Sequence, residues 1–222
     1  GTISAAMVRS QIEVLNEDFR ARPGTPGAPG LDTRIHFYLA TKDPNGAATT
    51  GITNSTSNQW FRDRGSYWNT LAWDTNRYLN IYTNNGGGSL GYVPDIPQSG
   101  TLVGTKSDRI VVAWDSFGRN SPGAPYNQGR TLTHEVGHYL GLLHTFDNRC
   151  GTSACNSTGD LICDTNPVNS PNYGCPSQAS SCNTSDPFHN YMDYGDDTCL
   201  WEFTEEQARR MRCTIEHWRP NL

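Results

Sequence analysis

Apolar residues return at intervals of three and four at the start of the chain, at Ala5, Val8, Ile12, Leu15 and Phe19. That spacing lines one face of a helix over Ser4 to Phe19. Ala21 to Gly30, with three prolines and three glycines, ends it as an irregular loop. Ile35-His36-Phe37-Tyr38-Leu39 then reads as a short strand, with His36 a structural histidine rather than a ligand. Trp60 to Ala72 reads as a helix whose aromatic residues form a core stripe, and Tyr78 to Thr83 and Ile110 to Trp114 as central strands. Gly86-Gly87-Gly88 is a tight turn and not a phosphate loop, since no lysine-bearing P-loop follows it. Leu90-Gly91-Tyr92-Val93-Pro94 is extended, and its proline confines it to a sheet edge. An edge beside a cleft can take a substrate peptide as an added strand. A helix runs from about Arg130 to Leu140, and a last one starts at the cap Thr204, with Glu205, Glu206 and Gln207 in its first turn, and ends near Trp218. No internal repeat interrupts this order. The chain is expected to be α+β and a single domain over 1–222, with the sheet in an N-terminal lobe to about 141. The C-terminal lobe, about 142–222, is expected to be rich in loops with one helix.

The densest chemistry lies in the helix from about Arg130 to Leu140. His134 and His138 stand at i and i+4, so both imidazoles project from one helical face toward a single ion. Glu135 sits beside them, where a carboxylate can take a proton from water activated by zinc. Gly141 allows the left-handed turn that ends the helix and returns His144 to the same metal. Three protein ligands leave one position open, which separates a catalytic zinc from a structural one. The plain alternative is three polar residues on an amphipathic helix. Three of the six histidines falling in this short run, at this spacing and around this glutamate, argue against it.

The pattern H-E-x-x-H-x-x-G-x-x-H, followed by Asn190-Tyr191-Met192-Asp193-Tyr194, resembles that of the metzincin zinc endopeptidases. Thr133 to Phe146 (THEVGHYLGLLHTF), Gly159-Asp160, Asp164-Thr165 with Pro167, Gly174-Cys175-Pro176 and His189 to Tyr194 narrow the resemblance to the pappalysin family, which includes ulilysin-like proteases. The match runs from about Arg130 to Cys213 and weakens upstream. It implies a metzincin-like fold, zinc ligands His134, His138 and His144, general base Glu135, and Met192 as an apolar floor under the metal. Tyr194 is then placed to donate a hydrogen bond toward the metal or the oxyanion; otherwise it is a half-buried tyrosine in a turn. The resemblance also implies calcium in the loop after the zinc helix, through Asp160, Asp164 and the Thr165 carbonyl with Asn148 or Asp147 nearby. Those residues carry the hard oxygens calcium takes, though not in the spacing of an EF-hand. In relatives that prefer lysine or arginine just after the scissile bond, an aspartate before the Met-turn cysteine sits at the base of the pocket. Here that position is Thr198, with Asp196 and Asp197 beside it. A neutral hydroxyl leaves a buried cation uncompensated, so a weakened basic preference is expected.

Composition removes several other classes. Charged residues are 18% of the 222 and the net charge is −5, with no lysine or arginine block, so a polypeptide partner is expected rather than nucleic acid. No apolar run reaches the length of a membrane span. The start at Gly1-Thr2-Ile3 has no signal-like pattern, so the chain reads as a mature, secreted, monomeric product, its signal and pro-segments implied by the resemblance. All seven cysteines follow the zinc helix, at 150, 155, 163, 175, 182, 199 and 213. No C-x-x-C pair occurs, which favours disulfides in an oxidising compartment over a second zinc site. Spacing alone leaves the connectivity open. The resemblance implies Cys150–Cys182 and Cys175–Cys199; Cys155 and Cys163 enclose an insertion relative to the family and are paired with each other. Cys213 is left as a buried small hydrophobe. Two other readings stand beside a secreted zinc endopeptidase: a catalytically inactive metzincin-like peptide-binding module, and a zinc hydrolase of small amides. Intact Glu135 and its histidines oppose the first, and an open edge strand opposes the second.

Overall fold

A computed structural model describes residues 3–98, 102–152 and 154–222. Gly1 and Thr2 lie outside them. Helix α1, Ala5–Phe19, is capped by the Ser4 side chain, which accepts from Met7 N, and buries Val14, Leu15 and Phe19. Two short helices follow, α2 at Asn58–Phe61 and α3 at Trp68–Leu71, and neither buries a residue. The single helix expected over Trp60 to Ala72 is therefore broken and is not a core stripe. Asp63 and Gly65, both at positive φ, turn the chain between its halves, and only Tyr67 between them is buried.

The sheet is mixed. Strand β1 (Ile81–Asn84) runs parallel to the central β3 (Ile110–Ala113), and β2 (Gly91–Tyr92) runs antiparallel on the other side of β3. β3 is wholly buried, as its run of Ile, Val, Val and Ala demands. β1 stands at the sheet margin and begins three residues later than its sequence suggested; Tyr78 instead sends its hydroxyl to the carbonyls of Lys42 and Asp43. Gly86–Gly88 forms a tight 3-10 turn between β1 and β2. Ile35 to Leu39 joins no sheet. The Asn16 side chain satisfies both backbone groups of Phe37, accepting from its N–H (2.9 Å) and donating to its carbonyl (2.8 Å), and so takes the place of a neighbouring strand. His36 is exposed there.

Helix α4, Arg130–Tyr139, is buried at every position. It packs against α1 through a buried ion pair, Arg130 Nη2 to Asp18 Oδ1 at 2.9 Å, and through Thr133 Oγ1, which donates to Asp18 Oδ2 at 2.7 Å. Beyond it the described chain is loop-rich, with short pairings: β4 (Tyr173–Gly174) with β7 (Tyr194–Gly195), β5 (Ser180–Ser181) with β6 (Thr184–Ser185), and a single bridge from Asn190 to Glu202. Disulfides join Cys150 to Cys182, Cys155 to Cys163 and Cys175 to Cys199. Helix α5, Glu205–Trp218, starts with a full capping box between Thr204 and Gln207. Its buried stripe is Gln207, Ala208, Met211 and Thr214. Cys213 falls off that stripe and is exposed, contrary to the buried position expected for it. One apolar core draws on residues from Leu15 to Met211, with Val112, Leu132, Val136, Met192 and Phe203 among them.

Candidate metal centre

The first turn of α4 has no cap of its own, because Gly129 at the N-cap carries no side chain. Asp197, in the 3-10 turn Asp197–Cys199, supplies it: Oδ2 accepts from Gln128 N (2.6 Å) and Arg130 N (3.2 Å). At the other end Gly141 adopts φ 90°, its N–H bonds to His138 O (2.9 Å), and Leu142 N bonds to Gly137 O (3.0 Å). This is a Schellman closure, which needs a residue free of a Cβ penalty at the left-handed position. It delivers the chain to His144 and turns Leu142 O back onto the helix.

That carbonyl orients a ligand. His138 Nδ1 lies 2.8 Å from Leu142 O, and His134 Nδ1 lies 2.7 Å from Tyr191 O in the Met turn. Carbonyls only accept, so both Nδ1 atoms hold the ring proton and both Nε2 atoms present lone pairs. Burial, reinforced by His138 and His144, drives His134 well below the usual histidine range, and burial with His144 pushes His138 down to about 4. The rings are thus neutral, the state a metal requires. His138 Nε2 and His144 Nε2 stand 3.0 Å apart, and one ligand nitrogen from each of the three histidines falls within a 4.8 Å group. A tetrahedral zinc at ordinary Zn–N lengths spaces its ligand nitrogens by about 3.3 Å. Three imidazoles converging in this way, two of them held neutral by burial, fit zinc. His144 is itself held by Asp147, whose Oδ2 accepts from His144 N (3.0 Å) and whose Oδ1 lies 3.4 Å from Nδ1, and it stacks on Phe146. That hydrogen bond, ahead of other influences, holds the Asp147 carboxyl below its ordinary range.

Glu135 is 6% exposed, and burial pushes its carboxyl up to about 8. It shares a cleft of about 510 Å³ with the three histidines, Gly91, Tyr92 and Tyr194. Tyr194 Oη stands 3.1 Å from His144 Nε2 and keeps its proton, its phenol being raised by burial and by the nearby Glu135. Met192 is fully buried beneath α4; a Cβ on Gly137 would strike its sulfur, so the two are matched.

The other sequence-based candidates scatter. Asp164 is exposed and accepts from Thr204 Oγ1 (2.6 Å) and Glu206 N (2.9 Å), capping α5. Asp160 is buried, accepts from Thr165 Oγ1 (2.7 Å) and Ile162 N (3.1 Å), and is pushed up to about 6 by burial. Asn148 donates to Gly159 O. Among the described residues, only the histidine triad forms a group of three or more His, Cys, Asp or Glu side chains able to share an ion. In the 3-10 turn, Asp197 faces inward and lines the cleft, whereas Thr198 is exposed and is not at its base. The expectation of a pocket floored by Thr198 is corrected accordingly; Asp196 also lies outside the lining.

A three-histidine centre, open on one side and set in the floor of an edge-stranded cleft, is the working arrangement of a zinc-dependent endopeptidase, and the glycine turn and methionine floor make it a metzincin. Comparison with known proteins agrees, and the chain belongs to the peptidase M43 family: the family model, described as pregnancy-associated plasma protein-A, matches residues 63–216. An extracellular metalloprotease of Pyricularia oryzae is 34% identical over 99% of this chain and 70% of its own length. Extracellular metalloprotease 1 of Coccidioides posadasii is 35% identical over 95% of this chain and 69% of its own. Mature mirolysin of Tannerella forsythia, solved in complex with a cleaved peptide, superposes with a TM-score of 0.74 at 38% identity, covering 95% of this chain and 84% of that one. Mirolysin in complex with a compound gives 0.81 at 39% identity, covering 96% and 85%.

Proposed function

We propose that His134, His138 and His144 hold the zinc of this endopeptidase and that Glu135 is its general base. The observation that carries this reading is the convergence of one ligand nitrogen from each of three histidines beside the buried Glu135 carboxyl in one cleft. When bound, zinc supplies Lewis acidity, acidifying water and polarising a carbonyl. Glu135 takes the proton of the attacking water and passes it to the leaving amine. Tyr194 donates its hydroxyl hydrogen to the developing oxyanion. The substrate is an extended polypeptide paired along β2, and residues 1–222 work as one catalytic unit whose lobes meet at Gly141, a reading supported by the shared core. Secretion is supported by three disulfides, by relatives named extracellular, and by the absence of any described helix long and apolar enough to cross a membrane. The side-chain preference after the scissile bond is a weakened one for lysine or arginine. Two aspartates line the cleft beside Glu135, and both are engaged: Asp197 accepts from Gln128 N and Arg130 N, and Asp193 from Asn172 and Tyr194 N. Calcium in the loop after α4 is the further proposal, resting on buried Asp160 alone, since Asp164 serves α5.

Cleavage mapping on a mixed peptide library tests activity and preference together. Zinc chelation should abolish cutting, and Glu135→Ala should lower kcat by roughly 10²–10⁴-fold with zinc still bound. A Glu135→Ala protein cutting at the parent's rate would remove Glu135 from the mechanism, and strict cleavage before lysine or arginine would overturn the weakened preference.

A further inference from the structure

Gly91 lies in β2 with backbone dihedrals open to any residue, so its identity is not a matter of strain. What it lacks is room. A Cβ at this position would stand 2.7 Å from Glu135 Cγ, 2.9 Å from Oε1 and 3.1 Å from Cδ, and these three nearest atoms all belong to one side chain. Ala113 N bonds to Leu90 O, which makes Leu90 and Ala113 a hydrogen-bonded pair. Bonded and non-bonded pairs alternate along an antiparallel ladder, so Gly91 opposite Val112 directs its own N–H and C=O to the open edge.

We propose that Gly91 is a positioning residue: its missing side chain is the slot that holds the Glu135 carboxylate against the triad. The inference rests on Glu135 being the base. A methyl group at 91 leaves the outward backbone groups, and therefore substrate pairing, unchanged. It displaces a flexible side chain and not a rigid wall, so the fold yields easily and the reaction bears the loss. Displacement of a reacting group by about 1 Å costs on the order of 10²-fold.

The test is Gly91→Ala in the zinc-loaded protein, measured for kcat, KM, zinc content and Tm beside Glu135→Ala. Expected are a kcat lower by about 10–100-fold, a KM within about twofold, the parent's zinc content, and a Tm within about 2 °C. An unchanged kcat overturns the proposal. So does a raised KM at constant kcat, which would assign Gly91 to substrate binding, and so does loss of zinc, which would assign it to the metal site; a lowered Tm that persists when Glu135→Ala is added assigns it to the fold and likewise overturns the proposal. Should Gly91→Ala not fold, Gly91→Ala with Glu135→Ala must fold and melt with Glu135→Ala alone, because the obstructing atoms are gone; its failure also overturns the proposal. An active Glu135→Ala would instead refute the base assignment, independently of Gly91.

Discussion

His138 donates its ring proton to Leu142, one residue past the glycine that ends its own helix, so the ligand's tautomer depends on how that helix stops. Its proton affinity has a measurable sign. The folded value of about 4 lies below the ordinary 6.5, so the unfolded chain takes up the proton first. The resulting stability is complete above pH 6.5 and is lost as pH falls toward 4, on the order of 3 kcal/mol in the zinc-free protein. Glu135 has the opposite sign. Raised from 4.5 to about 8, it contributes stability below pH 4.5 that disappears as pH rises through 8. The two oppose each other in the same window. Zinc-free Glu135→Gln should therefore show a Tm that falls more steeply from pH 6.5 to 4 than that of the zinc-free parent; parallel profiles would show that burial does not raise the Glu135 carboxyl. The grouping of the three histidines with Glu135 was legible because their spacing is local to one helix and one turn. Gly91 and Gly137 carried a fainter signal. Glycine within a strand or helix weakens it and so marks a close approach, but the residue approaching, Glu135 or Met192, appears only in three dimensions.

Helices α4 and α5 are both started by aspartates from distant parts of the chain. Asp197 accepts from the first N–H of α4, at Arg130, and from Gln128 N just before it, and Asp164 reinforces the box that opens α5. Apolar periodicity located α1, α4 and α5 because each buries a long face, and the Thr204 cap of α5 was legible locally, while the reach of Asp197 to α4 and of Asp164 to α5 was beyond a local rule. The same physics explains the elements misread. Trp60 to Ala72 has aromatic density without the continuous backbone a helix needs, and Ile35 to Leu39 has strand composition but an asparagine for a partner. Asp164→Ala should cost about 1 kcal/mol, lowering Tm by about 2–4 °C, in calcium and in a calcium chelator alike with zinc retained. A loss seen only when calcium is present would mean that Asp164 acts through the ion.

At the scale of the molecule, a core from Leu15 to Met211 ties the edge-stranded sheet to the loops behind the metal, so the cleft's two walls rest on one support. The α+β order and the split between sheet and loops followed from where strands cease and cysteines begin. The shallow pairings of β4 with β7 and β5 with β6 did not, since two residues carry no period. The disulfides have a consequence for any cut made in this region of the chain. Cys150–Cys182 and Cys175–Cys199 overlap in sequence, so any single break between Cys150 and Cys199 falls inside at least one closed covalent ring. Such a break frees no fragment. Aged protein nicked in this region should migrate as one band in denaturing electrophoresis without reductant and as two pieces with it. Two pieces in both lanes would mean the rings are not closed as drawn. Cuts in the exposed loops would otherwise pass unseen, and the mass of the intact molecule, heavier by one water per cut, is their visible record.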